Sequence, residues 1–93
     1  MPSAKGVIVA DGFAVFKDSI IASTTAPSMS NNLLQLRNSL IEKAIIVDNV
    51  FVRDYIFTSP SLAAAIVMGR NANGRTEWKT TDHKTLKDIE EEH

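Results

Sequence analysis

Two apolar runs, Lys5-Gly6-Val7-Ile8-Val9-Ala10 and Phe13-Ala14-Val15-Phe16, flank Asp11-Gly12 near the start of the chain. Asp-Gly tolerates positive φ angles, so the pattern predicts an antiparallel hairpin closed by a two-residue turn at Asp11-Gly12. Pairing across that turn puts Ile8, Ala10, Phe13 and Val15 on one face and Val7, Val9, Ala14 and Phe16 on the other. Both faces are apolar, which predicts a hairpin that is covered on both sides or lies centrally in its sheet. After Lys17-Asp18-Ser19, Ile20-Ile21-Ala22 adds a short strand ahead of a Ser/Thr-rich turn from Ser23 to Ser28.

The period then changes. Leu33, Leu36, Leu40 and Ala44 recur at helical spacing, flanked by Leu34 and Ile41, which predicts a helix over about 30–43 with Ser30 as its N-cap. Gln35, Arg37, Asn38, Glu42 and Lys43 are its solvent face. Ile45-Ile46-Val47 and Val50-Phe51-Val52 around Asp48-Asn49 form a second hairpin, and Tyr55-Ile56-Phe57 follows as a further strand. Ser59 caps a second helix over about 60–69, with Pro60 at the first helical position, where its missing N–H is harmless, and Gly69 as the stop. Leu62-Ala63-Ala64-Ala65-Ile66-Val67-Met68 is apolar all round, so this helix is buried against the sheet. Asn73-Gly74 is a turn, Thr76-Glu77-Trp78-Lys79 a last strand, and Thr85 to Glu92 a frayed polar segment around Leu86 and Ile89. The fold class is therefore α+β: a small, mostly antiparallel sheet built from hairpins and packed with two helices.

Length narrows this to one domain, since 93 residues build one core and not two. The core runs over about 5–87, followed by an acidic frayed tail at 88–93. Met1-Pro2 leading directly into the first strand fits a piece of a longer protein. With no cysteine, neither a disulfide framework nor a thiolate zinc site forms, which points to a cytoplasmic setting. No window approaches the ~18 consecutive apolar residues of a membrane span. The formal net charge is -1, but Asp88, Glu90, Glu91 and Glu92 crowd the end. Ahead of them, Arg70, Arg75, Lys79, Lys84 and Lys87 outnumber Glu77 and Asp82, a local basic bias.

Catalytic patterns are missing. The histidines are His83 and His93, the glycines form neither a phosphate loop nor a dinucleotide fingerprint, and no Gly-x-Ser-x-Gly elbow is present. The serines therefore lack a base other than His83. Asp48 with Asp54 and Glu77 with Asp82 read as solvated loop acids beside turns. No catalytic residue, metal ligand or cofactor is expected.

One stretch stands apart. Arg70-Asn71-Ala72-Asn73-Gly74-Arg75-Thr76-Glu77-Trp78-Lys79 places two guanidinium groups, two amides and the single tryptophan beyond a buried helix. Arg and Lys neutralise phosphates, Asn pairs with base edges or phosphate oxygens, and a Trp face stacks a base for ~1–3 kcal/mol. The same residues also read as a turn whose Trp78 anchors the core and whose cations are solvated. Ser59 and Ser61 flank Pro60 where free N–H groups and the helix dipole attract an anion, although capping alone accounts for the pattern.

The ordered run Tyr55-Ile56-Phe57-Thr58-Ser59-Pro60-Ser61-Leu62-Ala63-Ala64, then Gly69-Arg70-Asn71-Ala72-Asn73-Gly74 and Thr76-Glu77-Trp78-Lys79, resembles the domain of unknown function family 4357. Gly12-Phe13 and Lys17-Asp18-Ser19 resemble its opening, and the resemblance covers about Gly6 to Leu86. It is similar to the domains associated with restriction-enzyme adenine methylases. Arg75 departs from the pattern, which has an aromatic residue after Asn-Gly, so a cation replaces half of a two-aromatic stacking platform. The resemblance implies an accessory module found behind GIY-YIG-type nuclease domains or near restriction-modification components, with the chemistry supplied by another domain.

The resulting expectation is a non-catalytic, DNA-associated accessory domain whose contact surface is Arg70, Asn71, Asn73, Arg75, Trp78 and Lys79, with Ser59 and Ser61 near a phosphate. The alternative is a protein-interaction domain that docks on a catalytic domain of the same or a partner polypeptide without touching nucleic acid. An uncovered apolar patch distinguishes the second reading.

Overall fold

The first hairpin closes one residue earlier than Asp11-Gly12 predicts. In a computed structural model that describes residues 3–79, the side chains of Arg75 and Thr76 excepted, β1 (Gly6–Val9) pairs antiparallel with β2 (Gly12–Val15). Val9 lies opposite Gly12 and Gly6 opposite Val15, so Ala10 and Asp11 make the turn. Gly12 serves a different purpose: its φ is +146, and a Cβ there would collide with the carbonyl oxygen of Phe57 on the neighbouring strand. The shift preserves the alternation of faces. Phe13 and Val15 still point into the core, and Val7 and Ala14 still share the opposite face. The expected end of the core at 87, His83, the segment 85–92 and the acidic tail lie outside the described residues.

The strand β5 (Tyr55–Phe57) pairs antiparallel with β2, giving a three-stranded sheet in the order β1-β2-β5. Among the described residues β2 is the central strand and β1 lies at the edge, so one arm of the hairpin meets the expectation of a central position and the other does not. Between these strands, β3 (Ile46–Val47) and β4 (Val50–Phe51) form the second hairpin in the expected register. Its turn residues Asp48 (φ 51) and Asn49 (φ 66) both adopt the left-handed conformation that a type I′ turn demands. The strand expected at 20–22 shrinks to isolated bridges from Ile20 to Ser3 and to Val50. Ala22 already donates its N–H to the Val67 carbonyl, 2.8 Å away, so the chain has left the sheet for a helix.

The helix α1 (Asn31–Glu42) starts at Ser30, although the Ser30 hydroxyl makes no cap bond. Leu40 is fully buried, and Leu33, Leu34 and Leu36 pack against the core. Two expectations fail here. Ala44 does not extend the apolar stripe: it turns left-handed (φ 57) as the helix closes, with its N–H bonded to the Ile41 carbonyl. Arg37 does not face water: only 6% of it is exposed, and its Nη2 donates to the Ala22 carbonyl at 2.8 Å. Burial lowers its pKa from the ordinary guanidinium value.

The helix α2 (Pro60–Met68) forms as predicted. The Ser59 hydroxyl accepts the Leu62 N–H at 3.1 Å, Pro60 opens the first turn, and Gly69 ends it with φ 70. Ala63, Ala64, Ala65 and Ile66 are buried, and the small alanine side chains let the helix lie close to β2 and β5. Phe13, Val15, Phe51, Phe57, Leu40, Ile46 and Ile66 form the centre of the core. Each such side chain contributes about 1.5–3 kcal/mol by leaving water.

Candidate functional site

The segment leaving α2 folds back on it, not out to solvent. The last strand expected at 76–79 is instead a single helical turn, α3 (Gly74–Glu77), followed by Trp78 and an isolated bridge position at Lys79. The Asn73 carbonyl accepts the Glu77 N–H at 3.0 Å and the Gly74 carbonyl accepts the Trp78 N–H at 3.3 Å, which is helical bonding. The Ser61 hydroxyl accepts the Gly74 N–H at 2.9 Å. Gly74 is buried, and a Cβ there would strike the Pro60 backbone. In place of the expected turn, Asn73-Gly74 leads into a helical turn that docks on the first turn of α2.

The polar groups of the segment are largely consumed inside the fold. Arg70 forms an ion pair with Glu77, Nη2 to Oε1 at 2.9 Å, and its Nη1 donates to the Asn71 carbonyl at 3.3 Å. The Asn71 side chain donates to the Ser28 carbonyl at 3.0 Å and accepts the Ser30 N–H at 3.4 Å, tying the exit of α2 to the entry of α1. Trp78 donates Nε1–H to the Pro60 carbonyl at 2.9 Å, and its ring lies 4.5 Å from that of Phe13, centroid to centroid. Ser59 and Ser61 accept backbone N–H groups, as described above. Asn73 is exposed and engaged through its carbonyl, and Lys79 is exposed. Arg75 contributes backbone to α3. The structure therefore brings the expected residues together around α2, mainly as braces.

Beside them lies an apolar cleft of about 260 Å³ lined by Ala4, Val67, Met68 and Trp78, with Glu77 and Lys79 also on its wall. Among the described residues, no three His, Asp or Glu side chains converge as a metal site. No helix of the described residues is long and apolar enough to cross a membrane.

A second surface is built by the three-stranded sheet. Val7 is opposite Ala14, and Ala14 is opposite Ile56, so these three form one row across the face turned away from α2. Val7 is 45% and Ile56 52% exposed on either side of the buried Ala14, and Phe16, two residues further along, is 40% exposed on the same face. Exposed Lys5, Lys17 and Asp54 stand at its end, where Asp54 accepts the Lys17 N–H at 2.7 Å. The result is an apolar row with mixed charge at one end.

Residues 2–90 match the family described as Domain of unknown function (DUF4357). The chain belongs to that family. No curated protein and no solved structure matches the chain.

In this DUF4357 domain, the uncovered sheet face is the feature that sequence reasoning misread. Its signal is the apolar character of both faces of the first hairpin, a pattern that predicts cover on both sides or a central position. Of the paired acids, Asp48 sits in a turn and Asp54 accepts the Lys17 N–H, whereas Glu77 belongs to α3 and is held by Arg70, and Asp82 lies outside the described residues.

Proposed function

We propose that the DUF4357 domain is a non-catalytic accessory module that docks on a catalytic domain, of nuclease or restriction-modification type, in the same or a partner polypeptide. The observation that carries this reading is the outer sheet face, where Val7, Phe16 and Ile56 remain uncovered around Ala14. An apolar centre with polar residues at its margin is the anatomy of a protein interface, and exposed apolar groups arranged in a row mark such sites better than scattered ones.

The same reading assigns DNA association to the assembled protein. The return loop supports little direct contact, because Arg70 and Trp78 are spent on Glu77 and Pro60. An isotope-labelled domain titrated with the catalytic domain encoded alongside it, and separately with duplex and single-stranded oligonucleotides, tests the assignment by NMR. The expected result is that Val7, Ala14, Phe16 and Ile56 respond to the protein, with Ile56→Asp weakening that binding by about thirtyfold, as for a central interface residue. Salt-sensitive shifts centred on Arg70 to Lys79 on adding oligonucleotide, with the sheet face silent, would overturn it in favour of a nucleic-acid contact surface.

A further inference from the structure

Asn73-Gly74 is the single Asn-Gly step in the chain. Such a step is chemically labile, because glycine places no side chain beside its peptide nitrogen, which is then able to swing onto the asparagine side-chain amide. The fold pins this one peptide unit at both ends. Its carbonyl, on Asn73, accepts the Glu77 N–H at 3.0 Å, and its N–H, on Gly74, donates to the Ser61 hydroxyl at 2.9 Å. Asn73 is exposed, whereas Gly74 is buried with no room for a Cβ beside the Pro60 backbone. Water therefore reaches the side-chain amide while the nitrogen that would attack it is held elsewhere. Turning that nitrogen onto the Asn73 Cγ rotates the peptide unit and breaks both bonds together. Asp11-Gly12 has the same spacing in an exposed turn, but its side chain is an ionised carboxylate at neutral pH, which resists a nucleophile.

We propose that Asn73-Gly74 is a latent deamidation site gated by the docking of α3: cyclisation is barred while Ser61 holds the Gly74 N–H, and proceeds when the return loop opens. In that reaction the Gly74 nitrogen attacks the Asn73 Cγ. The new N–Cγ bond closes a succinimide, the Cγ–Nδ2 bond breaks, and the proton lost from Gly74 ends on the departing ammonia. One water then opens the ring at either carbonyl, leaving aspartate or isoaspartate. Aspartate keeps the native spacing. Isoaspartate carries the backbone through Cβ and Cγ, one methylene longer, so Gly74 no longer falls at Ser61. Local opening, otherwise reversible, is thereby made permanent, and Trp78, whose indole N–H meets the Pro60 carbonyl in the docked loop, loses that tie.

The test is peptide mass mapping of the full chain incubated at mildly alkaline pH, folded and in urea, with Gly74 amide exchange followed in parallel by NMR. The expected result is that the folded chain deamidates at Asn73 more slowly than the unfolded one, in step with the protection of the Gly74 amide, since both processes need the same opening. Ser61→Ala keeps a good helix former in α2 but removes the acceptor, and raises deamidation and Gly74 exchange together by about fivefold, the effect of one hydrogen bond. Trp78→Phe loosens the loop without touching Ser61 and raises both as well. In chains separated after reaction, those with isoaspartate exchange the Trp78 indole N–H faster than unreacted chains from the same sample. Thermal melts of each variant, monitored by circular dichroism, establish that the fold is retained. Equal rates in the folded and unfolded chain overturn the proposal, as does a Ser61→Ala chain that reacts no faster than the parent. A slower Ser61→Ala chain makes the hydroxyl a promoter of cyclisation and overturns it equally, and isoaspartate chains with Trp78 still protected overturn the permanent opening.

Discussion

Trp78 hangs from Pro60 and rests on Phe13: its Nε1–H meets the Pro60 carbonyl at 2.9 Å, and the two rings lie 4.5 Å apart at a 32° tilt. Pro60 has no N–H, and its carbonyl opens the first turn of α2, so the indole ties the start of that helix to the central strand of the sheet. The tryptophan is therefore a clasp between layers, with its one polar atom already engaged.

Replacing Trp78 separates its two contributions. Trp78→Phe keeps most of the ring contact with Phe13 but removes the indole N–H that the Pro60 carbonyl accepts, an expected loss of about 1–2 kcal/mol in urea unfolding. Trp78→Ala removes both and opens the neighbouring cleft, with an expected loss of about 3–5 kcal/mol. If Trp78→Ala unfolds at the parent urea midpoint, the clasp is not structural and the indole regains its place as a stacking surface.

Arg37 is the charge that the fold buries at a cost. Nη2 is bonded to Ala22, whereas Nη1 is buried without a partner among the described residues. Arg37→Ala abandons the Ala22 carbonyl and leaves a void, so an expected destabilisation of about 2–4 kcal/mol follows. Arg37→Met fills the space without a desolvated charge, and its expected cost is about 1 kcal/mol or less. The titration has a definite sign. Because the folded chain holds the Arg37 proton less tightly than the unfolded chain does, this group's contribution to stability rises as pH climbs from its lowered pKa toward the ordinary guanidinium value. Urea midpoints of the parent and Arg37→Met, compared on the alkaline side, check both size and sign: a parent that loses ground to the variant there contradicts it.

Much of this was legible in the residues, for reasons that differ by element. Ser59-Pro60 and Gly69 punctuate α2 through backbone chemistry that acts locally, and Asp48-Asn49 is a turn for the same reason. Arg37 was legible and misread. It stands four residues after Leu33, one after Leu36 and three before Leu40, squarely on the inward face, but its charge outweighed its position in the reading. The Trp78 segment was opaque because its helical turn depends on Ser61 and Pro60, more than ten residues away, and no local pattern announces such partners. Cations that point outward and cations that brace a loop have the same sequence, and the Arg70–Glu77 pair is visible only in the fold.

Gly12 makes a stricter test of the sheet. Its φ of +146 and the close approach of the Phe57 carbonyl act together, so Gly12→Ala must either twist out of that conformation or push β5 away. The expected loss is about 2–4 kcal/mol, from backbone strain combined with disruption of the β2–β5 pairing. Asp11→Gly, one residue earlier in the exposed turn, is expected to cost less than about 1 kcal/mol. Equal effects of the two substitutions would place the turn back at Asp11-Gly12 and contradict the observed register.

The pair between Arg70 and Glu77 decides how much of the return loop is available to a polyanion. At 43% and 30% side-chain exposure the pair is screened by water, so breaking it with Glu77→Gln is expected to change stability by less than about 1 kcal/mol. It nevertheless occupies the Arg70 guanidinium. If Arg70 makes no phosphate contact, Arg70→Ala leaves oligonucleotide affinity and its salt dependence unchanged, and Glu77→Gln does not raise either one. If Arg70 does reach a phosphate, removing it lowers the magnitude of the salt slope by about one and releasing it from Glu77 strengthens binding. Fluorescence anisotropy of a labelled duplex across a salt series separates the two outcomes. The internal pairing and the hydrogen bond to the Asn71 carbonyl lead to the first.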